Sequence, residues 1–187
     1  MNPSRAIPLV LVSLMILMEI YASRISRSEA RTDDRGSFFA VWLLVAAGYW
    51  AAFSMWGARA PVGLPLGVWA VWVGAAVAAA GMALRIWSIA TLGRYFTYVV
   101  KVSPEQKVVD TGPYRLIRHP SYAGGLLTGI GIGLSLRLGV APLIIGATSV
   151  AGYWIRMAVE ERALSEGIGE AYRAYMSRTK RLIPFVW

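Results

Sequence analysis

Cysteine is absent from this chain of 187 residues, and histidine occurs once, at His119. The first absence excludes disulfides, thiolate metal ligands and thiol nucleophiles together. The second excludes a multi-histidine centre, so no metal site is expected. Charge is also scarce. Only 16% of the residues are charged and 57% are hydrophobic, whereas soluble domains carry about a quarter charged residues. The bilayer is therefore the solvent to reason with. A formal net charge of +9 would suggest nucleic acid in a soluble protein. In a membrane protein the informative quantity is how the basic residues divide between loops, and no nucleic-acid partner is expected.

The apolar residues fall into runs. Residues 6–23 form the first, preceded by one arginine. A cleaved signal peptide is the alternative there, but the length of the run, Glu19 within it and the lack of a small-x-small cleavage site favour a span. Residues 37–56 and 65–84 each run uncharged for long enough to cross ~30 Å of hydrocarbon at about 1.5 Å per residue. Residues 122–136 and 138–155 are separated by Arg137 alone, which predicts a tight antiparallel hairpin. The expected fold is a single all-α membrane domain of five transmembrane helices. Residues 85–120 mix Trp87, Tyr95, Phe96 and Tyr98 with basic residues, as chain at the headgroup level does. A short amphipathic helix is expected from Glu170 to Arg178, after Gly167 and Gly169 break the fifth helix. The loop before span four and the C-terminal segment would then form a cytosolic cap over the helix ends.

Basic residues set the orientation. Arg24, Arg27, Arg31 and Arg35 lie between spans one and two, six more lie between spans three and four, and another six follow span five; only Arg5, Arg59 and Arg137 are left for the other side. The positive-inside rule then predicts a multi-pass protein with its N-terminus outside and its C-terminus and active site in the cytosol. Gly125, Gly129 and Gly133, like Gly67, Gly74 and Gly81, recur at spacings that bring helix backbones close, as association in lipid requires.

The chemistry gathers at residues 112–125, GPYRLIRHPSYAGG. Pro120 suits the first turn of a helix and pushes His119 out of the helical region. His119 is then either a plain helix cap or one side of a site for an anionic group, such as a cofactor carboxylate, at a helix N-terminus. Tyr114 and Tyr122 taken alone read as interfacial aromatics. Arg156 and Glu160 are four residues apart on one helix face, either a solvated ion pair of little worth or, from their position near the level of His119, part of a site. Glu161 lies about 100° away around the helix, so only one of the two carboxylates is expected to face the pocket, and cofactor binding is expected to survive the loss of Glu161. Glu19 is an ionisable residue inside a span; pairing with Arg24 or Arg85 is the alternative to a functional role.

Together GPYRLIRHPSYAG, the small-residue helix after it, Glu160-Glu161, Gly169-Glu170-Ala171-Tyr172 and Arg181-Leu182-Ile183-Pro184 resemble the isoprenylcysteine carboxyl methyltransferase family, over about residues 92–185. The RHPxY core is also similar to segments of phospholipid N-methyltransferases and NADPH-dependent sterol reductases, which supply the alternative functions. The resemblance implies S-adenosylmethionine as cofactor, bound by Gln106, Lys107, Val108, Val109, Tyr114, His119, Pro120, Ser121, Tyr122 and Glu160. It implies Arg156 as the clamp on the acceptor carboxylate. Eukaryotic members have a histidine and a threonine where Gln106 and Lys107 stand, so contacts there are expected from the backbone. The implied reaction is methyl esterification of an isoprenylated cysteine or similar lipid-linked acid, on a small molecule or a prenylated protein C-terminus, at the membrane lipid surface.

Overall fold

In hydrocarbon a backbone amide has no solvent partner, so long apolar runs satisfy their own hydrogen bonds as helices. A computed structural model describes residues 3–26, 35–58, 65–98, 102 and 105–184. It contains α1 (Pro3–Ile25), α2 (Arg35–Gly57), α3 (Trp69–Leu92), α4 (Pro120–Ser135), α5 (Ala141–Gly167) and α6 (Glu170–Arg178), with 3₁₀ turns at Gly93–Tyr95 and Gly112–Arg115. Among the described residues there is no β-strand, only isolated bridges between Pro65 and Leu138 and between Ile117 and Lys180. Arg27, Arg31, Arg59 and Lys101, which entered the orientation argument, and the last three residues of the apolar tail lie outside the described residues.

Among the described residues four helices are long and apolar enough to cross a membrane: α1, α2, α3 and α5. Helix α4 has 16 residues, about 24 Å at 1.5 Å per residue, and falls short of the ~30 Å hydrocarbon thickness. The expectation of five spans is thus met in four helices, with the fourth apolar run, residues 122–136, folding as a shorter helix. The third run also differs from its expected bounds. Residues 65–68 precede α3, because Leu66 exchanges hydrogen bonds with Arg137, N to O at 3.0 Å and Arg137 Nε to Leu66 O at 3.1 Å. At its other end α3 continues past residue 84 to Leu92, carrying Arg85 inside the helix, until Gly93 at φ 52° stops it.

Glycine sets the helix spacing. A Cβ on Gly81 would lie 2.5 Å from Thr128 N, and one on Gly74 would lie 2.5 Å from Gly131 O, so α3 and α4 touch backbone to backbone, as small residues allow in lipid. The anticipated row Gly125, Gly129 and Gly133 faces α5 instead, against Tyr153, Ile145 and Pro142. Gly67 stands outside α3, beneath the Trp69 ring, so it is no part of that seam. Outward, Leu43, Trp42 and Trp50 of α2 and Leu17 of α1 are exposed, an apolar coat suited to acyl chains. Helix α4 therefore sits between α3 and α5, and the end where it begins is where α5 runs on beyond it.

Candidate active site

Pro120 opens α4 at its first position, and the preceding His119 has φ −124° and ψ 57°, outside the helical region. This is the local geometry that a proline at N1 imposes on its neighbour. The His119 side chain does not cap the helix. Its ring turns away, and Nε2 lies 3.2 Å from Glu161 Oε1. Arg118 Nε donates to the same oxygen at 2.9 Å, and Arg181 Nη2 donates to Oε2 at 2.6 Å. Sequence reasoning missed this centre: it places Glu161 on another face from Glu160, as observed, but gives it no partners, and Glu161 is buried under three donors. The signal available was the arginine-rich segment 178–181, whose partner could not be read in one dimension.

The C-terminal segment reaches the site by backbone as well. Arg118 N donates to Lys180 O at 2.7 Å and His119 N to Arg181 O at 3.0 Å. Arg118 Nη1 donates to Met176 O at 2.9 Å and also to Thr179 O. Tyr175 OH donates to Tyr114 O at 2.7 Å. Helix α6 and residues 179–182 thus lie against the chain that leads into α4.

Behind His119 opens a cavity of about 1010 Å³. Gln106, Lys107, Val108 and Val109, in chain without regular secondary structure, line it with Tyr114. His119, Ser121 and Tyr122 of the α4 entry and Arg156 and Glu160 of α5 line it too. Of the residues expected to hold the cofactor, Pro120 alone does not line it: it is buried in the helix start, where its role is conformational. Glu161 is off the wall and Glu160 is on it, where Tyr122 OH donates to Glu160 Oε2 at 2.9 Å. The same cavity continues between α1 and α2, past Val12, Met15, Ile16, Val45, Tyr49 and Phe53.

Arg156 is buried, which removes the solvated-pair reading of Arg156 and Glu160. Its Nη1 donates to Ser37 Oγ at 2.7 Å and its Nη2 to Tyr98 O at 2.6 Å. Tyr98 is itself fixed, with OH on Glu19 Oε2 at 2.5 Å and N on Ser26 Oγ at 3.0 Å. Glu19 takes the two-pronged guanidinium of Arg85, at 2.7 and 2.9 Å, and Arg85 also donates to Ser121 Oγ at 2.9 Å. The pairing alternative for Glu19 is therefore the one observed, with Arg85 rather than Arg24. Burial pushes the Tyr98, Tyr114 and Tyr172 hydroxyls up from their ordinary range, and that of Tyr175 up to about 12. At neutral pH these phenols stay protonated, and those of Tyr98 and Tyr175 donate, to Glu19 and to the Tyr114 carbonyl.

A buried guanidinium and a carboxylate facing one chamber that continues into an apolar cleft is a site for a ligand part polar and part lipid. A family model described as phospholipid methyltransferase matches residues 69–171, more than half of the chain. The chain belongs to the phospholipid methyltransferase family. Within this family it is similar to protein-S-isoprenylcysteine O-methyltransferase B of Arabidopsis thaliana, 32% identical over 108 residues, covering 57% of this chain and 55% of the relative. It is also similar to the uncharacterized protein YpbQ of Bacillus subtilis, 30% identical over 51% of this chain and 57% of that one. The solved structure of a eukaryotic intramembrane Ras methyltransferase, isoprenylcysteine carboxyl methyltransferase, superposes with a TM-score of 0.60 at 28% identity, over 78% of this chain and 52% of that chain. The chain spans about half the length of the curated relatives it matches. This phospholipid methyltransferase family member therefore shares the helical membrane fold of that enzyme, and the matched region includes His119, Arg156 and Glu160.

Proposed function

We propose that this protein methylates the carboxylate of an isoprenylated cysteine or similar lipid-linked acid, with S-adenosylmethionine as donor. The observation that carries the reading is the continuity of one cavity, from the chamber of Glu160 and Arg156 to the apolar cleft between α1 and α2. The donor set of the chamber fits S-adenosylmethionine: the Glu160 carboxylate can accept from hydroxyl or ammonium groups, and the cavity-lining chain at 106–109, outside any helix, has amide and carbonyl groups to offer. About 1010 Å³ is at the upper end of single-ligand sites, which run to roughly 1,000 Å³, and leaves room for an acceptor beside the donor. S-adenosylmethionine supplies a methyl group already activated on a sulfonium. The protein's work is then alignment and exclusion of water.

Arg156 would orient the acceptor carboxylate through charge-assisted hydrogen bonds, and its anchors on Ser37 and Tyr98 fix the guanidinium plane in advance. A carboxylate acceptor needs no base. Methylation of a phospholipid amine would need a group to take up a proton and would leave the buried Arg156 without a role at the nucleophile. Helix α4 serves as the fifth crossing, shielded from lipid by α3 and α5, and the segment 105–119, α6 and residues 179–182 form the cytosolic cap. The N-terminus is placed outside and the C-terminus in the cytosol.

The test offers the purified protein labelled S-adenosylmethionine with a panel of prenylcysteines, other lipid acids and phosphatidylethanolamine. Base-labile label on the prenylcysteines or lipid acids is the expected result. Label on phosphatidylethanolamine alone would overturn the carboxylate reading.

A further inference from the structure

Two consecutive glutamates on α5 face different ways. Glu160 borders the cavity, whereas Glu161, about 100° around the helix, points behind its wall into a pocket of cations. Its side chain is 5% exposed and holds Arg118, His119 and Arg181 together. Two of these, Arg118 and His119, have their other faces on the cavity. His119 in turn stands in ring contact with Tyr122, centroids 5.6 Å apart, and Tyr122 donates to Glu160. The third partner, Arg181, belongs to the C-terminal segment whose carbonyls take the Arg118 and His119 amides.

We propose that Glu161 is a positioning residue of the cofactor chamber, fixing the His119 ring from behind and fastening residues 179–182 against the entrance to α4. The inference rests on the methyltransferase reading. Without the Glu161 charge, Arg118 and Arg181 face each other across a buried gap with no anion between them, an arrangement the fold does not tolerate unchanged. The cheapest relief is for Arg181 to swing to solvent, because its side chain is already 23% exposed. The C-terminal segment then loosens, and the His119 ring loses the partner that sets its angle. The damage belongs first on the cofactor side, since Glu161 holds Arg118, His119 and Arg181, whereas Arg156 is anchored on Ser37 and the Tyr98 carbonyl.

The test compares full-length wild type with Glu161→Gln, Glu161→Asp and Arg181→Gln, measuring S-adenosylhomocysteine affinity by calorimetry and KM for donor and acceptor well below the melting temperature. Glu161→Gln is expected to weaken S-adenosylhomocysteine binding and raise the donor KM by about tenfold, with the acceptor KM changed by less than about threefold. Glu161→Asp should recover part of the loss, and Arg181→Gln should show the same split at smaller size. A merely structural role would lower the melting temperature and raise both KM values together; that outcome, or affinity within about twofold of wild type in Glu161→Gln, overturns the proposal. If Glu161→Gln does not fold, Arg181→Gln decides alone: weaker cofactor binding with an unchanged acceptor KM upholds the assignment, and unchanged cofactor binding overturns it. A wild type that binds no S-adenosylhomocysteine would instead sink the methyltransferase reading and this inference with it.

Discussion

Arg156 is held by Ser37 of α2, a helix packed along α5, and by the Tyr98 carbonyl, both distant from it in sequence. If its planar fork orients the acceptor, Arg156→Lys keeps the charge and loses the geometry. Turnover is expected to fall by roughly tenfold to a hundredfold, about 1.5–3 kcal/mol, with S-adenosylmethionine affinity little changed. Acceptor kinetics and calorimetry on one preparation check this; near wild-type turnover removes the clamp, and a large loss of cofactor affinity moves Arg156 to the cofactor site. The neighbouring Glu160 is expected to behave in the opposite way. Glu160→Gln should weaken S-adenosylhomocysteine binding by about 1–3 kcal/mol, the cost of a charged hydrogen bond, and leave the acceptor KM nearly constant. Tyr122→Phe, which removes the phenol that donates to Glu160, should weaken it by about 1 kcal/mol.

At the scale of helices, the seam of α3 and α4 brings backbone against backbone. A methyl group on Gly81 would meet Thr128 N and Gly124 O, both backbone, so the neighbours cannot yield by a rotamer change. Gly81→Ala should therefore cost about 1–3 kcal/mol, the range for overpacking, read as a lower melting temperature in detergent. Gly36→Ala, where nothing lies within 4 Å, is the control and should not lower it. Helices were the most legible part of the chain, since an apolar run in lipid has one backbone solution. Helix α6 falls on Glu170–Arg178 as expected, because Gly169 at φ 77° fixes its start. Less legible was which row of glycines faces which helix: two rows on α4 have the same composition, and only tertiary packing shows that Gly124 and Gly131 meet α3 while Gly125 and Gly129 meet α5. Within the candidate site, RHPSY and the Arg156 and Glu160 spacing marked residues that, Pro120 excepted, the fold brings to one cavity. Glu161, Ser37 and Tyr98 stayed hidden because their partners are distant in sequence.

The whole molecule has one polar end, and its orientation is testable because the chain lacks cysteine. Single cysteines placed near Lys107 and after α6 should label from the same side, and one near Arg59 from the other. Opposite results at Lys107 and the C-terminus would break the proposed topology. The pairing of Glu19 with Arg85 also bears on how the protein is made. The ribosome delivers the carboxylate first and its guanidinium 66 residues later. A lone charge at mid-helix costs about 2.5–3.5 kcal/mol on insertion scales, and Glu19 near the helix end stays cheap only while it can reach the headgroups. Helix α1 is therefore expected to take its final depth only after α3 has emerged to supply Arg85.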